Sequence, residues 1–167
     1  MTAQTFYAGA RSDEWGTPDS IFNVLHEHFN FALDLAASED NTKCPLFFSA
    51  ERSALERPWP HCITSWLNPP FSQAEAFFEK AAAEAKEGAQ VVAIYKASNM
   101  ETATWQKHIF PHATHVLIPR RRVEYVTGGD KRRHGVPFPS AIIGYNVSLE
   151  GVAKRIKGTL LHLGVRE

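Results

Sequence analysis

The tetrapeptide at residues 68–71, Asn-Pro-Pro-Phe, constrains the fold of this chain more than any other feature. Residues 62–67 before it form an apolar run that predicts a buried strand. Residues 72–75 after it read Ser-Gln-Ala-Glu, a capping box that predicts the start of a helix. Because each proline fixes its own φ angle and removes a backbone donor, we expect a strand that passes through a rigid turn into a helix.

The same turn offers hydrogen-bond acceptors beside an aromatic ring. Asn68 is held extended by the proline that follows it, and Pro69 and Pro70 contribute carbonyl groups without N–H groups. Phe71 adds a ring face. This combination suits a planar ligand with an amino group, such as a nucleobase flipped out of its helix. A loop whose prolines merely end the strand is the competing interpretation.

Length and composition indicate one globular domain. The chain has 167 residues and a hydrophobic content of 44%, which is enough for a substantial core and argues against disorder. We expect residues 1–14 to form a flexible arm and residues 15–167 to form a single domain. Eighteen basic residues balance eighteen acidic ones, yet six of the basic residues fall within one short segment: Arg120, Arg121, Arg122, Lys131, Arg132 and Arg133.

The cysteines, histidines and apolar runs exclude several classes of protein. Cys44 and Cys62 have no metal-ligand spacing, and the eight histidines form no zinc pattern with a cysteine or carboxylate, so we expect no metal site. Both thiols are expected to be buried in a reducing cytosol. The sequence shows no signal peptide, and no apolar run approaches the length of about eighteen residues that a membrane-spanning helix needs. We therefore expect a cytoplasmic protein without a membrane partner.

Strand and helix patterns alternate along the chain, which predicts a mainly parallel, three-layer α/β sheet. Thr17 is expected to cap the first helix, with Pro18 at its first position. The expected ligand edge of the sheet collects Asp34, Asn68 and the loop after Tyr95. Predicted strands cover residues 31–35, 46–48, 62–67, 91–95, 115–119, 123–126 and 140–146, and predicted helices cover residues 18–29, 72–87 and 101–110. Residues 127–139 are expected to form a long exposed loop, and residues 151–167 either a helix or a hairpin.

Three ordered motifs resemble those of the phage DNA adenine methyltransferases, which are small Dam-like enzymes. Residues 15–18, Trp-Gly-Thr-Pro, are similar to that family's W-x-T-P opening. Residues 31–37, Phe-Ala-Leu-Asp-Leu-Ala-Ala, are similar to its first-strand motif, with alanines where larger methyltransferases have glycines. Residues 68–71 are similar to its catalytic (Asp/Asn)-Pro-Pro-aromatic motif, with phenylalanine in place of the commoner tyrosine. The resemblance covers about residues 15–146.

The resemblance implies a Rossmann-like methyltransferase fold whose last strand is reversed, and S-adenosylmethionine as the cofactor, with no metal. It implies a catalytic group of Asn68, Pro69, Pro70 and Phe71. It also implies a cofactor-binding group of Trp15, Thr17, Pro18, Asp34, Ala36 and Asn68. DNA is the implied partner, contacted through the six basic residues between Arg120 and Arg133, and no obligate protein partner is evident.

Two other functions remain open at this point. The same motif could act on a different amine, namely cytosine N4, an RNA base or a protein glutamine. The chain could also be a non-catalytic nucleic-acid-binding module that retains the fold. Because little of the chain is left for a target-recognition domain, we expect a relaxed sequence preference on DNA.

Overall fold

The computed structural model describes residues 15–127, 130–133, 136 and 138–164, with the backbone alone described at residues 127 and 130–133. The arm predicted at residues 1–14 lies outside the described residues. The assignment of residues 15–167 to a single domain stays a prediction. No helix in the described part of the chain is both long enough and apolar enough to cross a membrane.

Ten strands and three α-helices make up the described chain. The strands are β1 Trp15–Gly16, β2 Leu33–Asp34, β3 Leu46–Phe47, β4 Thr64–Leu67, β5 Gln90–Lys96, β6 His115–Pro119, β7 Val126–Thr127, β8 Asp130–Arg133, β9 Ser140–Tyr145 and β10 Gly158–His162. The helices are α1 Asp19–Phe29, α2 Ala74–Lys86 and α3 Glu150–Ile156. Shorter helical elements are two 3₁₀ turns, Ala54–Glu56 and Phe71–Gln73, and a π-helix, Thr104–Ile109.

Seven strands form one mixed sheet in the order β10-β6-β9-β5-β4-β2-β3. Strands β3, β2, β4 and β5 are parallel to one another. Strand β9 is antiparallel to both β5 and β6, so β6 runs in the same direction as β5. Strand β10 is antiparallel to β6 at the edge of the sheet. The fold is therefore a mixed α/β fold in which five of the seven strands share a direction.

Residues of β5 pack alternately on the two faces of this sheet, as expected for a fully buried strand. Val91, Ala93 and Tyr95 join a core that includes residues of α2 and the π-helix. Val92 and Ile94 join a second core that includes residues of α1 and α3. Burying each large aliphatic side chain contributes about 1.5–3 kcal/mol, so these two cores fix the position of the central strand.

A second, three-stranded sheet joins the start of the described chain to the basic segment. Its order is β1-β7-β8, and Trp15 and Gly16 pair with Thr127 and Val126. Strand β8 turns back onto β7. The prediction of an exposed loop over residues 127–139 is therefore wrong, because this segment contains β8 and the buried Val136.

Both predicted helix caps are wrong for reasons that involve neighbouring structure. Pro18, at ψ 147°, occupies the N-cap position of α1, because pairing of β1 with β7 keeps the chain extended beyond Thr17. Ser72 lies inside the 3₁₀ turn that precedes α2, and Gln73 occupies the N-cap position. The N–H of Gln73 donates to the carbonyl of Pro70, which closes this tighter turn before the α-helix begins.

Other segments differ from prediction in extent. The helix predicted at residues 101–110 contains a π-helix, in which the N–H of Phe110 donates to the carbonyl of Trp105, five residues earlier. The sequence predicts either a helix or a hairpin for residues 151–167. The segment contains the helix α3 and then a single strand, β10, which pairs with β6. Cys44 is buried as expected, but the expectation for Cys62 is wrong: it is exposed, because the strand begins only at Thr64.

Candidate active site

The carboxyl ends of β2, β4 and β5 meet at one edge of the large sheet. Asp34 in β2 pairs with Trp66 in β4, and Leu67 in β4 pairs with Ala93 in β5. Asn68 follows β4 directly, and Lys96 ends β5. The structure thus places Asp34, Asn68 and Lys96 at the edge where ligands bind in open α/β sheets.

A hydrogen bond joins two of the sequence motifs. The side-chain nitrogen of Asn68 donates to the backbone carbonyl of Trp15 over 2.5 Å. Asn68 is half-buried. Because the bond uses the nitrogen of the amide, it orients the side-chain oxygen as the acceptor that Asn68 can offer to a ligand.

Phe71 lies among three other aromatic rings. Its ring is stacked on that of Trp15, with centroids 6.4 Å apart and planes at 26°. Tyr95 and Phe138 meet it edge-on, at centroid distances of 5.9 and 5.3 Å. These contacts hold the half-buried Phe71 ring beside Asn68 and favour flat, apolar ligands.

Lys96 brings a positive charge to this aromatic group. Its ammonium nitrogen lies 5.5 Å from the centroid of Phe71 and 5.9 Å from that of Tyr95, both within cation–π range. The sequence placed the loop after Tyr95 at this edge without committing to a role for Lys96, and it did not single out Phe138. The position of Lys96 at the end of a strand next to β4 was the available signal, whereas Phe138 reaches the site from a distant segment.

Asp34 is a buried carboxylate that shapes the loop after β2. It is 3% exposed, and its two oxygens accept the backbone N–H groups of Ala36 and Lys43, each at 3.2 Å. Burial raises the pKa of Asp34 to about 6, because the loss of solvation outweighs the stabilisation from these two bonds. Asp34 therefore fixes the backbone at Ala36, which follows the carboxyl end of β2.

Thr17 presents a buried hydroxyl beside the same motif. Its side chain is 2% exposed, and within the described part of the chain its Oγ1 has no hydrogen-bond partner. An unsatisfied buried hydroxyl costs about 1–3 kcal/mol, which a polar group of a ligand would recover. Pro18, next to it, is half-buried. Thr17 was predicted as a cofactor-binding residue, and this orphaned hydroxyl fits that prediction.

The first half of the basic segment is on the surface. Arg120, Arg121 and Arg122 are exposed, and the guanidinium of Arg122 donates to the carbonyl of Val136 at 2.9 Å. The side chains of Lys131, Arg132 and Arg133 lie outside the described residues, but their backbone forms β8. Since β8 pairs with β7 and β7 pairs with β1, the backbone of this segment is connected to Trp15 through two strand pairings.

Comparison with known proteins finds a matching family model and phage relatives. Residues 4–146 match the family model described as DNA N-6-adenine-methyltransferase (Dam). The chain is similar to the DNA N-6-adenine-methyltransferase of Escherichia phage T1, with 30% identity over 125 residues, which cover 74% of this chain and 52% of that protein. It is also similar to the DNA N-6-adenine-methyltransferase of Haemophilus phage HP1 (strain HP1c1), with 37% identity over 73 residues, or 41% of this chain and 40% of that protein.

The matched segment contains all three motifs, which the structure brings to one edge of the sheet. The chain spans about half of the length of the T1 relative. Because the family match covers most of the sequence, the chain belongs to the DNA N-6-adenine-methyltransferase (Dam) family.

Proposed function

We propose that this protein transfers a methyl group from S-adenosylmethionine to the exocyclic N6 amino group of adenine in DNA. The hydrogen bond from Asn68 to the carbonyl of Trp15 is the main support, because it joins the Asn-Pro-Pro-Phe turn to the Trp-Gly-Thr-Pro segment beside an aromatic group. The names of the T1 and HP1 relatives point to the same reaction.

The proposal includes a Rossmann-like methyltransferase fold with three layers and a reversed strand. Two observations support it. Helices contribute to separate cores on the two faces of the sheet. Strand β9, which forms late in the chain, runs against β5 and β6 and lies between them.

S-adenosylmethionine, when bound, supplies a methyl group activated by a sulfonium centre. We place its binding at Trp15, Thr17, Pro18, Asp34, Ala36 and Asn68. Thr17 would give its buried hydroxyl a partner there, and Asp34 would hold the Ala36 backbone in place through the bond that Ala36 donates. The small side chain of Ala36 leaves the backbone open to close approach.

The target adenine is proposed to bind at Asn68, Pro69, Pro70 and Phe71. The adenine ring stacks on Phe71. The side-chain oxygen of Asn68 and the carbonyl oxygen of Pro69 accept hydrogen bonds from its amino group. These acceptors orient the nitrogen lone pair and stabilise the positive charge that develops on the nitrogen. Fixed orientation and aimed dipoles of this kind can each lower a barrier by several kcal/mol.

DNA phosphates are proposed to contact the basic segment from Arg120 to Arg133. Exposure of Arg120, Arg121 and Arg122 supports this contact, as does the pairing that connects β8 to Trp15 through β7. Phosphate contacts add affinity without reading sequence, so they fit a relaxed target preference.

Transfer of labelled methyl groups to unmethylated DNA tests the proposal. The wild type is compared with Asn68→Ala and with Asn23→Ala, which changes an exposed asparagine of α1. Label on adenine that is lost in Asn68→Ala and kept in Asn23→Ala is the expected result. Label on cytosine, RNA or protein would show that this molecule, and not adenine in DNA, is the substrate. Failure to bind S-adenosylmethionine would exclude the enzymatic function and favour a non-catalytic binding module.

A further inference from the structure

Two histidines and a glutamate meet at the end of the sheet opposite the candidate active site. His115 begins β6, His162 ends β10 and Glu150 begins α3. One ligand-type atom from each of the three residues lies within 4.8 Å of the others. Since β6 runs in the same direction as β5, its first residue is at the edge away from Asn68. This cluster is therefore separate from the site proposed for methyl transfer.

The two imidazoles have the spacing of ligands on a single metal ion. His115 and His162 are directly opposite each other in the antiparallel β6–β10 pair. Nε2 of His115 lies 3.1 Å from Nδ1 of His162. Two nitrogens bound at about 2.0–2.1 Å to one tetrahedral ion are roughly 3.3 Å apart, so little movement would be needed for both to bind it.

The surroundings of His115 orient its free nitrogen toward the cluster. Nδ1 of His115 lies 3.2 Å from the carbonyl oxygen of Val147 and can reach it only as a donor. A proton on Nδ1 leaves the lone pair on Nε2, the atom that faces His162. A backbone carbonyl that holds the far nitrogen of a histidine in this way is the usual outer partner of a metal-binding imidazole.

Glu150 supplies a carboxylate to the same cluster. Its Oε1 lies 3.8 Å from Nε2 of His162, the ring nitrogen that does not face His115. The carboxylate belongs to the cluster because one ligand-type atom of each of the three residues lies within 4.8 Å of the others. The side chains of His162 and Glu150 are 62% and 65% exposed, so an ion and completing water molecules can reach them from solvent. Imidazole together with carboxylate suits zinc and its neighbours in the first transition row better than magnesium or calcium, which prefer oxygen ligands.

We propose that His115, Glu150 and His162 bind a divalent transition-metal ion, with Zn²⁺ as the representative ion. The ion joins β6, the edge strand β10 that pairs with it, and the first residue of α3. Its effect is to hold the terminal strand β10 and helix α3 against β6. Ions that bind only the folded chain raise its stability according to their concentration relative to the dissociation constant.

Zinc titration of the untagged full-length protein, first stripped with EDTA, tests this proposal. We expect one Zn²⁺ per chain by calorimetry, a rise in melting temperature with zinc, and visible absorption of the tetrahedral type when Co²⁺ replaces Zn²⁺. His162→Gln and Glu150→Gln each remove a ligand. Each should therefore weaken binding by about tenfold or more, the smallest loss seen when only an outer partner of a ligand is removed, and should remove the cobalt spectrum. Both positions are exposed, so melting in EDTA should match the wild type.

His61→Gln is the matched control. His61 also faces a carboxylate, with its Nε2 3.8 Å from Oε2 of Glu84, but the structure places no second histidine in that cluster among the described residues. This variant should bind zinc as the wild type does. The proposal is wrong if the wild type shows no saturable one-to-one binding, or if His162→Gln and Glu150→Gln both bind as tightly as His61→Gln. In either case the two histidines form only a hydrogen-bonded pair.

Discussion

The side-chain nitrogen of Asn68 donates to the carbonyl of Trp15 over 2.5 Å, across 53 positions of the chain. The acceptor is a backbone atom, so its position depends on the strand that contains it. Trp15 and Gly16 form β1, which pairs with β7. The orientation of the Asn68 amide is therefore set by strand pairing outside the large sheet.

Replacement of Gly16 with alanine should impair the site through this pairing. A Cβ atom at Gly16 would lie 2.9 Å from the carbonyl oxygen of Val126, so β1 would have to move away from β7. We expect a fall in kcat of about tenfold or more, since small displacements of positioning groups have effects up to about 10²-fold. Steady-state methylation kinetics at saturating DNA and S-adenosylmethionine measure kcat. Gly164→Ala is the control, because a Cβ there meets nothing within 4 Å, and equal kcat values for the two variants would contradict the prediction.

Phe71→Ala should reduce kcat/KM for DNA by about tenfold to a hundredfold. Stacking of a base on an aromatic side chain is worth about 1–3 kcal/mol, and alanine removes that ring. Phe71→Tyr keeps the ring and should retain nearly all activity. Steady-state methylation of a DNA duplex measures both variants, with melting temperatures recorded to separate folding from function. Full activity in Phe71→Ala would show that the ring does not bind the base.

Asp34 should make the folded protein less stable as the pH rises from about 4 to 6. Its pKa is about 6 in the folded chain, against an ordinary value of 3.8. Between these values the folded chain holds a proton that the unfolded chain has lost, so the free energy of unfolding decreases as pH rises. Above pH 6 the loss from this group levels off, at about 3 kcal/mol.

Denaturant unfolding at several pH values between 4 and 7 checks this prediction. Asp34→Asn has no such titration, so its free energy of unfolding should change less with pH than that of the wild type. Asp40→Asn, which changes an exposed acidic residue of the following loop, should keep the wild-type slope. Identical slopes in the wild type and Asp34→Asn would mean that the Asp34 carboxyl is not protonated in the folded chain over this range.

Arg121→Ala should weaken DNA binding and make it less sensitive to salt. Arg121 is exposed within the basic segment, and removal of one phosphate contact lowers the slope of log affinity against log salt concentration by about one. Fluorescence anisotropy with a labelled duplex at several KCl concentrations gives this slope. Arg57→Ala removes an exposed arginine outside that segment and should leave the slope unchanged. A uniform effect of both substitutions would indicate general charge attraction rather than a defined contact.

Local sequence patterns were sufficient to predict the central elements. The apolar run at residues 91–95 and the strand at residues 115–119 are present as β5 and β6. These predictions succeed because burial and periodicity are properties of short segments. The strand order then brings Asp34 and Asn68 to one edge, as the alternation of strands and helices indicated.

Features that depend on distant pairing could not be predicted in the same way. Thr17 fails as a cap because β1 pairs with β7, more than a hundred positions away in the chain. The histidine cluster is another example: His115 and His162 are 47 positions apart and meet only because β10 returns along β6. Spacing rules for metal ligands search short intervals and therefore miss it.

The position of β9 has a consequence for the order in which the chain can fold during synthesis. Strand β9 lies between β5 and β6 but follows both of them in the chain. Until Ser140–Tyr145 has left the ribosome, β5 and β6 each present an apolar edge with unpaired backbone groups. Such edges recruit strands from other chains. We therefore expect newly made protein to be most prone to aggregation in the interval before β9 emerges, and truncation before residue 140 to leave an insoluble product.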